Sequence, residues 1–140
     1  MNGFESEDVG EPLELNEEDL VTGNPMLETR PQQRLADGSI YHGQWNGEHK
    51  EGYGVSLWKN GSRYEGIWAN HKANGQGKFY YMDGDTYEGQ WADDRANGEG
   101  KYTHSNGNTY EGTWLNDVQN GEGKETWVDG SHFTGNYQNG

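Results

Sequence analysis

The sequence predicts an all-β protein made of tandem 23-residue β-hairpins, and three observations predict it. The first is a period: Tyr41, Tyr64, Tyr87, Tyr110 and Phe133 recur every 23 residues, as do Gly38, Gly61, Gly84, Gly107 and Gly130. Trp45, Trp68, Trp91 and Trp114 keep the same step, and so do Gly52, Gly75, Gly98 and Gly121. The second is alternation with period two inside each unit: Tyr87, Gly89 and Trp91 fall on one face of a strand, Glu88 and Gln90 on the other. The third is composition. Only 29% of the chain is apolar, well below the ordinary globular share of about 45–50%, which argues against a thick two-layered core. Glycine, at 23 of 140 residues, suggests disorder, but an aromatic share of 13% opposes it, so the two must be arranged together in regular structure.

The elements follow in order. Residues 1–30 are acidic and poor in apolar side chains, and are expected to be mostly irregular. Within them Asn16-Glu17-Glu18-Asp19 suits the start of one short helix. Leu13, Leu15, Leu20, Met26 and Leu27 could dock part of this segment on a partner or on the aromatic face, although a solvated tail is the simpler expectation. Residues 31–140 are the repeat array: a degenerate cap at 31–40, four repeats at 41–132 and the start of a fifth at 133–140. In the cap, Leu35 stands where Trp58 stands one unit later. Each repeat reads as strand A, Tyr87 to Trp91 in the third copy, then a six-residue loop from Ala92 to Asn97, then strand B from Gly98 to His104. Ser105, Asn106 and Gly107 then suit a type I turn closed by a left-handed glycine.

These loop lengths set an expected register. Across the short turn, Tyr81 faces Asp85, Phe79 faces Tyr87, Lys78 faces Glu88, Gly77 faces Gly89 and Gly75 faces Trp91. Across the longer loop, Trp91 faces Gly98 and Glu88 faces Lys101. Each tryptophan would then lie between two glycines and cover bare backbone. On the other face Lys78, Glu88, Lys101, Glu111 and Lys124 would alternate in sign, each exposed pair contributing a few tenths of a kcal/mol up to ~1.

Charge excludes several functions. The formal net charge is −14, and residues 1–36 and 37–140 carry −7 each. Neither part offers the basic stripe needed to displace counterions from nucleic acid, and anionic membranes would repel both. There is no cysteine, which rules out disulfides and thiolate metal sites. No apolar run approaches a membrane span, and the opening residues are acidic rather than signal-like, so the simplest reading is a soluble, cytoplasmic protein.

Local motifs dissolve into the repeat. Counted from Asp83, a calcium loop would need Asp or Asn fifth and Gly sixth, but Tyr87 and Glu88 stand there. Gly98-Glu99-Gly100 runs on into a strand, not into the helix that a dinucleotide site requires. The histidines, His42, His49, His71, His104 and His132, lack metal-site spacing. Glu65, Glu88 and Glu111 form a column with about 9.6 Å between equivalents, near a glycosidase pair's separation, yet lysines lie between them on an open face. No catalytic, cofactor-binding or metal-binding residues are therefore expected, and no cofactor. The aromatic face is the candidate site: Tyr41, Tyr64, Tyr87 and Tyr110 in one row, Trp45, Trp68, Trp91 and Trp114 in another, with Trp58, Phe79, Tyr81, Tyr102 and Trp127 between and beside them. Tyrosine and tryptophan in a partly open groove are favoured anchors for a protein partner, either a helix or an extended peptide.

The pattern Y-x-G-x-W, then G-x-G, then Asp/Asn-Gly at a 23-residue step resembles the MORN repeat (membrane occupation and recognition nexus) over about residues 31–140. The resemblance implies an elongated, single-layered antiparallel sheet curved as a trough. It also implies a scaffold or adaptor at cilia, cytoskeletal structures or membranes, and the copies are most similar to those of protist and axonemal proteins, radial-spoke heads included. A non-enzymatic protein-binding scaffold of the cytoskeleton or cilium is the expectation. A peripheral membrane or phosphoinositide-binding targeting module of a larger protein is the alternative, which the charge opposes. The fifth copy carries Phe133 and Tyr137 in place of Tyr and Trp and breaks off before its loop. An open edge strand there predicts a longer array, or a covering molecule, or self-association at that edge.

Overall fold

The computed structural model describes residues 12–138. The opening acidic residues 1–11 and the end of the fifth copy, residues 139–140, lie outside the described residues. Among the described residues one short helix, α1 (Glu17–Gly23), precedes ten strands: β1 (Glu28–Arg34), β2 (Ile40–Asn46), β3 (His49–Leu57), β4 (Arg63–Ala69), β5 (Lys72–Tyr80), β6 (Thr86–Ala92), β7 (Arg95–Thr103), β8 (Thr109–Leu115), β9 (Val118–Thr126) and β10 (His132–Tyr137). They form one open sheet in sequence order, every neighbouring pair antiparallel.

Two kinds of turn alternate along this sheet. The Asp/Asn-Gly turn is as expected: Gly84 N–H donates to Tyr81 O at 3.1 Å, and Tyr81 N–H donates to Asp85 O at 2.9 Å. Gly84 sits at φ 98°, a conformation that costs glycine nothing sterically. The Asp83 carboxylate accepts from Asp85 N–H at 3.0 Å and tightens the turn, as Asn60, Asn106 and Asp129 do in the other copies. The pairings that this turn sets, Phe79 with Tyr87, Lys78 with Glu88, Gly77 with Gly89 and Gly75 with Trp91, hold.

The other connection differs from the sequence expectation. The loop between strands A and B is not six residues, because Ala92 belongs to β6 and Arg95 to Asn97 belong to β7. Only Asp93 and Asp94 turn the chain, both left-handed at φ 48° and 71°, the mirror-image hairpin turn that matches strand twist. Asn70 with His71 and Asn116 with Asp117 do the same. The residues displaced from the loop are absorbed in a bulge. Gly89 pairs with Gly100, but Trp91 pairs with Ala96 rather than Gly98, so Gln90 alone faces Asn97, Gly98 and Glu99. Gly98 enters this bulge at φ 106°, and a Cβ there would meet Gln90 on the opposite face. The Gln90 side chain bridges the gap, its Oε1 accepting from Glu99 N–H at 2.9 Å.

The bulge also corrects the expected ring-on-glycine arrangement. Tyrosines, not tryptophans, cover the bare backbone. A Cβ added at Gly54, Gly77, Gly100 or Gly123 would strike the ring of Tyr41, Tyr64, Tyr87 or Tyr110 respectively. Each of these tyrosines is at most 1% exposed. Each buried hydroxyl donates to a bulge carbonyl, Gln44 O at 2.8 Å, Ile67 O at 2.9 Å, Gln90 O at 3.0 Å and Thr113 O at 3.3 Å. The tryptophans stand edge-on against the tyrosines. Trp91 lies 5.4 Å from Tyr64 and 5.2 Å from Tyr87, nearly perpendicular to both, and Trp68 bridges Tyr41 and Tyr64 likewise. Their indole N–H groups donate to glycine carbonyls, Trp68 to Gly54, Trp91 to Gly77 and Trp114 to Gly100, at 3.0–3.2 Å. Trp45 has no such partner among the described residues: the equivalent carbonyl would be that of Pro31, and β1 shifts register there, between Arg30 and Gln33. Burying each ring stabilises by ~1.5–3 kcal/mol, and each edge-on pair adds about 0.5–1.5 kcal/mol, which replaces the missing second layer.

The described part of the N-terminal segment, from residue 12 on, is neither a solvated tail nor docked on the aromatic face. It docks on the opposite face of the first repeat. Leu13 is buried with Ile40 and Val55, and Leu15, Tyr53 and Leu57 pack beside them. Leu13 N–H donates to Gln32 Oε1 and Leu13 O accepts from His42 Nδ1, both at 2.6 Å. The fully buried Gln44 anchors α1: its Nε2 donates to Leu20 O at 3.2 Å and Asn24 O at 2.6 Å, and its Oε1 accepts from Tyr53 N–H at 2.8 Å. The short helix is present from Glu17, with Asn16 at its N-cap position, but the Asn16 side chain caps no backbone N–H; its backbone carbonyl accepts from Asp19 and Leu20 N–H at 3.1–3.2 Å. Residues 28–30 belong to β1, which continues to Arg34 and pairs with β2.

Because Gly100 lies under the Tyr87 ring, Gly100→Ala is expected to cost about 1–3 kcal/mol of overpacking and lower the thermal midpoint by roughly 5–10 °C. Thermal unfolding followed by circular dichroism measures this. A midpoint unchanged within error would show that the tyrosine seat is not under packing constraint. Gln44→Ala should free α1, seen as faster amide exchange over residues 17–24 with the exchange of β6–β8 unaltered.

Candidate functional site

The two faces of the sheet differ in chemistry. On one, Glu65, Lys78, Glu88, Lys101, Glu111 and Lys124 run in register across consecutive strands, so the expected charge alternation is present. In the first repeat this ladder is interrupted by Val55, which lies beneath the N-terminal segment.

The other face carries the aromatic residues, and burial divides them. Tyr41, Tyr64, Tyr87 and Tyr110 are enclosed, and Trp45, Trp68, Trp91 and Trp114 are 3–8% exposed. Trp58, Phe79, Tyr81 and Tyr102 are half-buried, whereas Trp127 is exposed and stands apart from the cluster. The half-buried rings form a continuous row. Trp58 stacks on Phe79 at 5.6 Å, Phe79 meets Tyr81 at 4.6 Å, Tyr81 meets Tyr102 at 5.7 Å, and Tyr102 meets His104 at 4.9 Å. Thus the expected rows are real, but only the outer rings offer surface.

Two cavities of about 370 Å³ each open along this row. One is lined by Lys50, Trp58, Trp68, Ala73, Phe79 and Trp91, the other by Tyr81, Trp91, Ala96, Tyr102 and Trp114 among others. Acidic groups border both. Asp37 and Asp94 line the first, and Asp94 and Asp117 the second. The turn aspartates are held by structure: Asp94 N–H donates to Ala73 O at 3.0 Å while its Oδ1 accepts from Ala73 N–H at 2.7 Å. Asp117 repeats this with Ala96 at 2.9 and 2.8 Å. At the short turn before β6, Asp85 accepts from the Tyr102 hydroxyl at 2.6 Å and from Ser105 N–H at 2.8 Å. These hydrogen bonds, Tyr102's foremost, hold its carboxyl below the ordinary range.

Lys50 is the residue that sequence reasoning missed. It is 5% exposed and lays its Nζ 4.2 Å from the Trp68 ring centre and 5.5 Å from that of Tyr41. Burial lowers its pKa, while Asp37 and Asp94 favour its charged form. The signal lay in the column of equivalent positions, Lys50, Ala73, Ala96 and Gln119, where one long cation stands among smaller neutral residues. Burial also dominates the phenols, raising Tyr41, Tyr64, Tyr87 and Tyr110 and pushing Tyr53 and Tyr81 up to about 12. Among the described residues no group of three or more His, Cys, Asp or Glu is placed to hold a metal ion, and no helix is long and apolar enough to cross a membrane.

Comparison with known families finds the MORN repeat, matched at residues 41–63, 64–86, 87–109 and 110–132, 92 of the 140 residues. No curated protein matches the sequence.

The buried phenols determine alkaline behaviour. Below about pH 10 a tyrosine is neutral in both folded and unfolded chains, so its contribution to stability is complete there. Above that pH the unfolded phenols ionise while the folded ones resist, and stability falls as pH rises, through about 12 for Tyr53 and Tyr81 and further for the enclosed row. Lys50 works in the opposite direction, one group against several. Phenolate absorbance is therefore expected to rise together with loss of sheet structure. Titration of most tyrosines near pH 10 with the sheet intact would contradict this.

Proposed function

Because the chain belongs to the MORN-repeat family, whose fold serves as a non-catalytic module for protein or membrane interaction, we propose that it is a protein-binding scaffold without enzymatic activity of its own. Its partner is a helix or extended peptide laid along the aromatic face, with strand addition at the outer edge of β10 as a second mode. It is placed, as part of the same proposal, in the cytoplasm, on the cytoskeleton or in the cilium, the setting implied by reading its repeats as axonemal-like.

The observation that carries the docking surface is the half-buried row from Trp58 through Phe79 and Tyr81 to Tyr102, beside two cavities. Aromatic rings already fixed by their neighbours lose little freedom on binding and present large amphipathic area, which suits interface anchors. The membrane alternative gains no support from charge: the array is net acidic, and Lys78, Lys101 and Lys124 each stand opposite a glutamate.

The test is a photo-crosslinking amino acid placed either at Tyr81 on the aromatic row or at Glu88 on the charged face, in extract of the source cell. Discrete protein adducts are expected from Tyr81 and not from Glu88. Equal capture from both faces, or strong salt-sensitive pelleting of the purified chain with phosphoinositide-containing liposomes, would overturn the proposal.

A further inference from the structure

The first repeat contains its own bound cation. The ammonium of Lys50 lies over Trp68, beside Tyr41, in a cavity that Asp37 and Asp94 border. Such a site attracts a positive charge through the ring quadrupole and the carboxylates together. The rings that build it recur. Tyr41 meets Trp68 at 5.6 Å and 88°, Tyr64 meets Trp91 at 5.4 Å and 85°, and Tyr87 meets Trp114 at 5.2 Å and 81°. The cation does not recur, because Ala73 and Ala96 stand where Lys50 stands. Both alanines line the cavities just described, and Asp117 borders the second as Asp94 borders the first.

We infer that the spaces beside Ala73 and Ala96 receive lysine side chains from a basic segment of the partner, one per repeat, with ammonium groups about 10 Å apart. The spacing is that of two strands, since equivalent positions lie on alternate strands of the sheet. A peptide in the polyproline II conformation, with three residues per turn and ~3.1 Å rise, covers it in about three residues and returns its side chains to one side, so Lys-x-x-Lys is the simplest match. Charge complementarity selects this occupant over an acidic or purely apolar one. Asp94 borders both cavities and Asp117 the second, and the whole chain carries −14. The inference rests on the reading of the aromatic face as the docking surface and specifies the chemistry of what docks there.

The experiment titrates the full chain with three acetylated, amidated heptapeptides, Lys-Gly-Gly-Lys-Gly-Gly-Lys and its Gln and Glu counterparts, at low salt. The readout is the indole N–H resonances of Trp91 and Trp114. The lysine peptide is expected to shift both, with affinity at least roughly fivefold above the glutamine peptide, and the glutamate peptide to shift neither. Ala96→Lys should fill its space from within and abolish the Trp114 response. Lys50→Ala, which copies the residue found in later repeats, should instead open a third space and add a response at Trp68. Asp94→Asn with Asp117→Asn keeps the turn acceptors and should weaken lysine binding roughly fivefold. Equal response to the glutamine peptide would leave the docking face standing and overturn the cation assignment. Indole shifts from the lysine peptide that survive in both Ala96→Lys and the Asp94→Asn, Asp117→Asn variant would overturn it as well. Lack of any indole response to all three peptides would overturn it too, whereas failure of the docking face itself is read separately from equal crosslinking at Tyr81 and Glu88.

Discussion

The structure depends on one contact: a tyrosine ring seated against backbone that has no side chain. A sheet one layer thick has no opposing layer to dehydrate its apolar face, so the face must bury itself. Gly77 and Gly100 let the Tyr64 and Tyr87 rings descend to the backbone, and the tryptophans then close over them edge-on. The buried hydroxyl would be a liability in this position, and the bulge resolves it by turning a carbonyl toward the ring's tip. Glycine seat, bulge and tyrosine are therefore a single device, and none of the three is useful alone.

That device explains how much of the fold could be read from residues. The period, the strands and the register across the Asp/Asn-Gly turn were legible, because Gly84 and Gly107 mark a left-handed position that few other residues occupy comfortably. The opposite connection was not. Counting by twos assumes one residue against one, and Gln90 faces three. Asp93 and Asp94 take up the mirror-image turn without the glycine that usually announces it. The error carried forward into the choice of ring, since Gly98 looked like a tryptophan's platform and is in fact the pivot of a bulge.

Departures from the repeat proved more informative about the candidate site than the repeat itself. Val55 stands in the column of Lys78, Lys101 and Lys124, and Tyr53 in that of Gln76, Glu99 and Glu122. This apolar patch on an otherwise charged face is what receives Leu13 and α1. Lys50 is the same kind of exception on the aromatic face. The outer aromatic row was legible by spacing, but its division into enclosed and accessible rings was not, because both rows share one period and differ only in how deeply the bulge lets them sink.

The hydrogen bonds that lock the units together are short in sequence. The tyrosine bond spans three residues, the tryptophan bond 14, and the turn aspartate reaches back 21. A chain wired this way never has to bring remote segments together, so the entropy of closing large loops hardly enters its assembly. Growth by successive addition, each hairpin templated by the one already formed, is the folding route that such wiring favours, and it can begin before the later units have been synthesised.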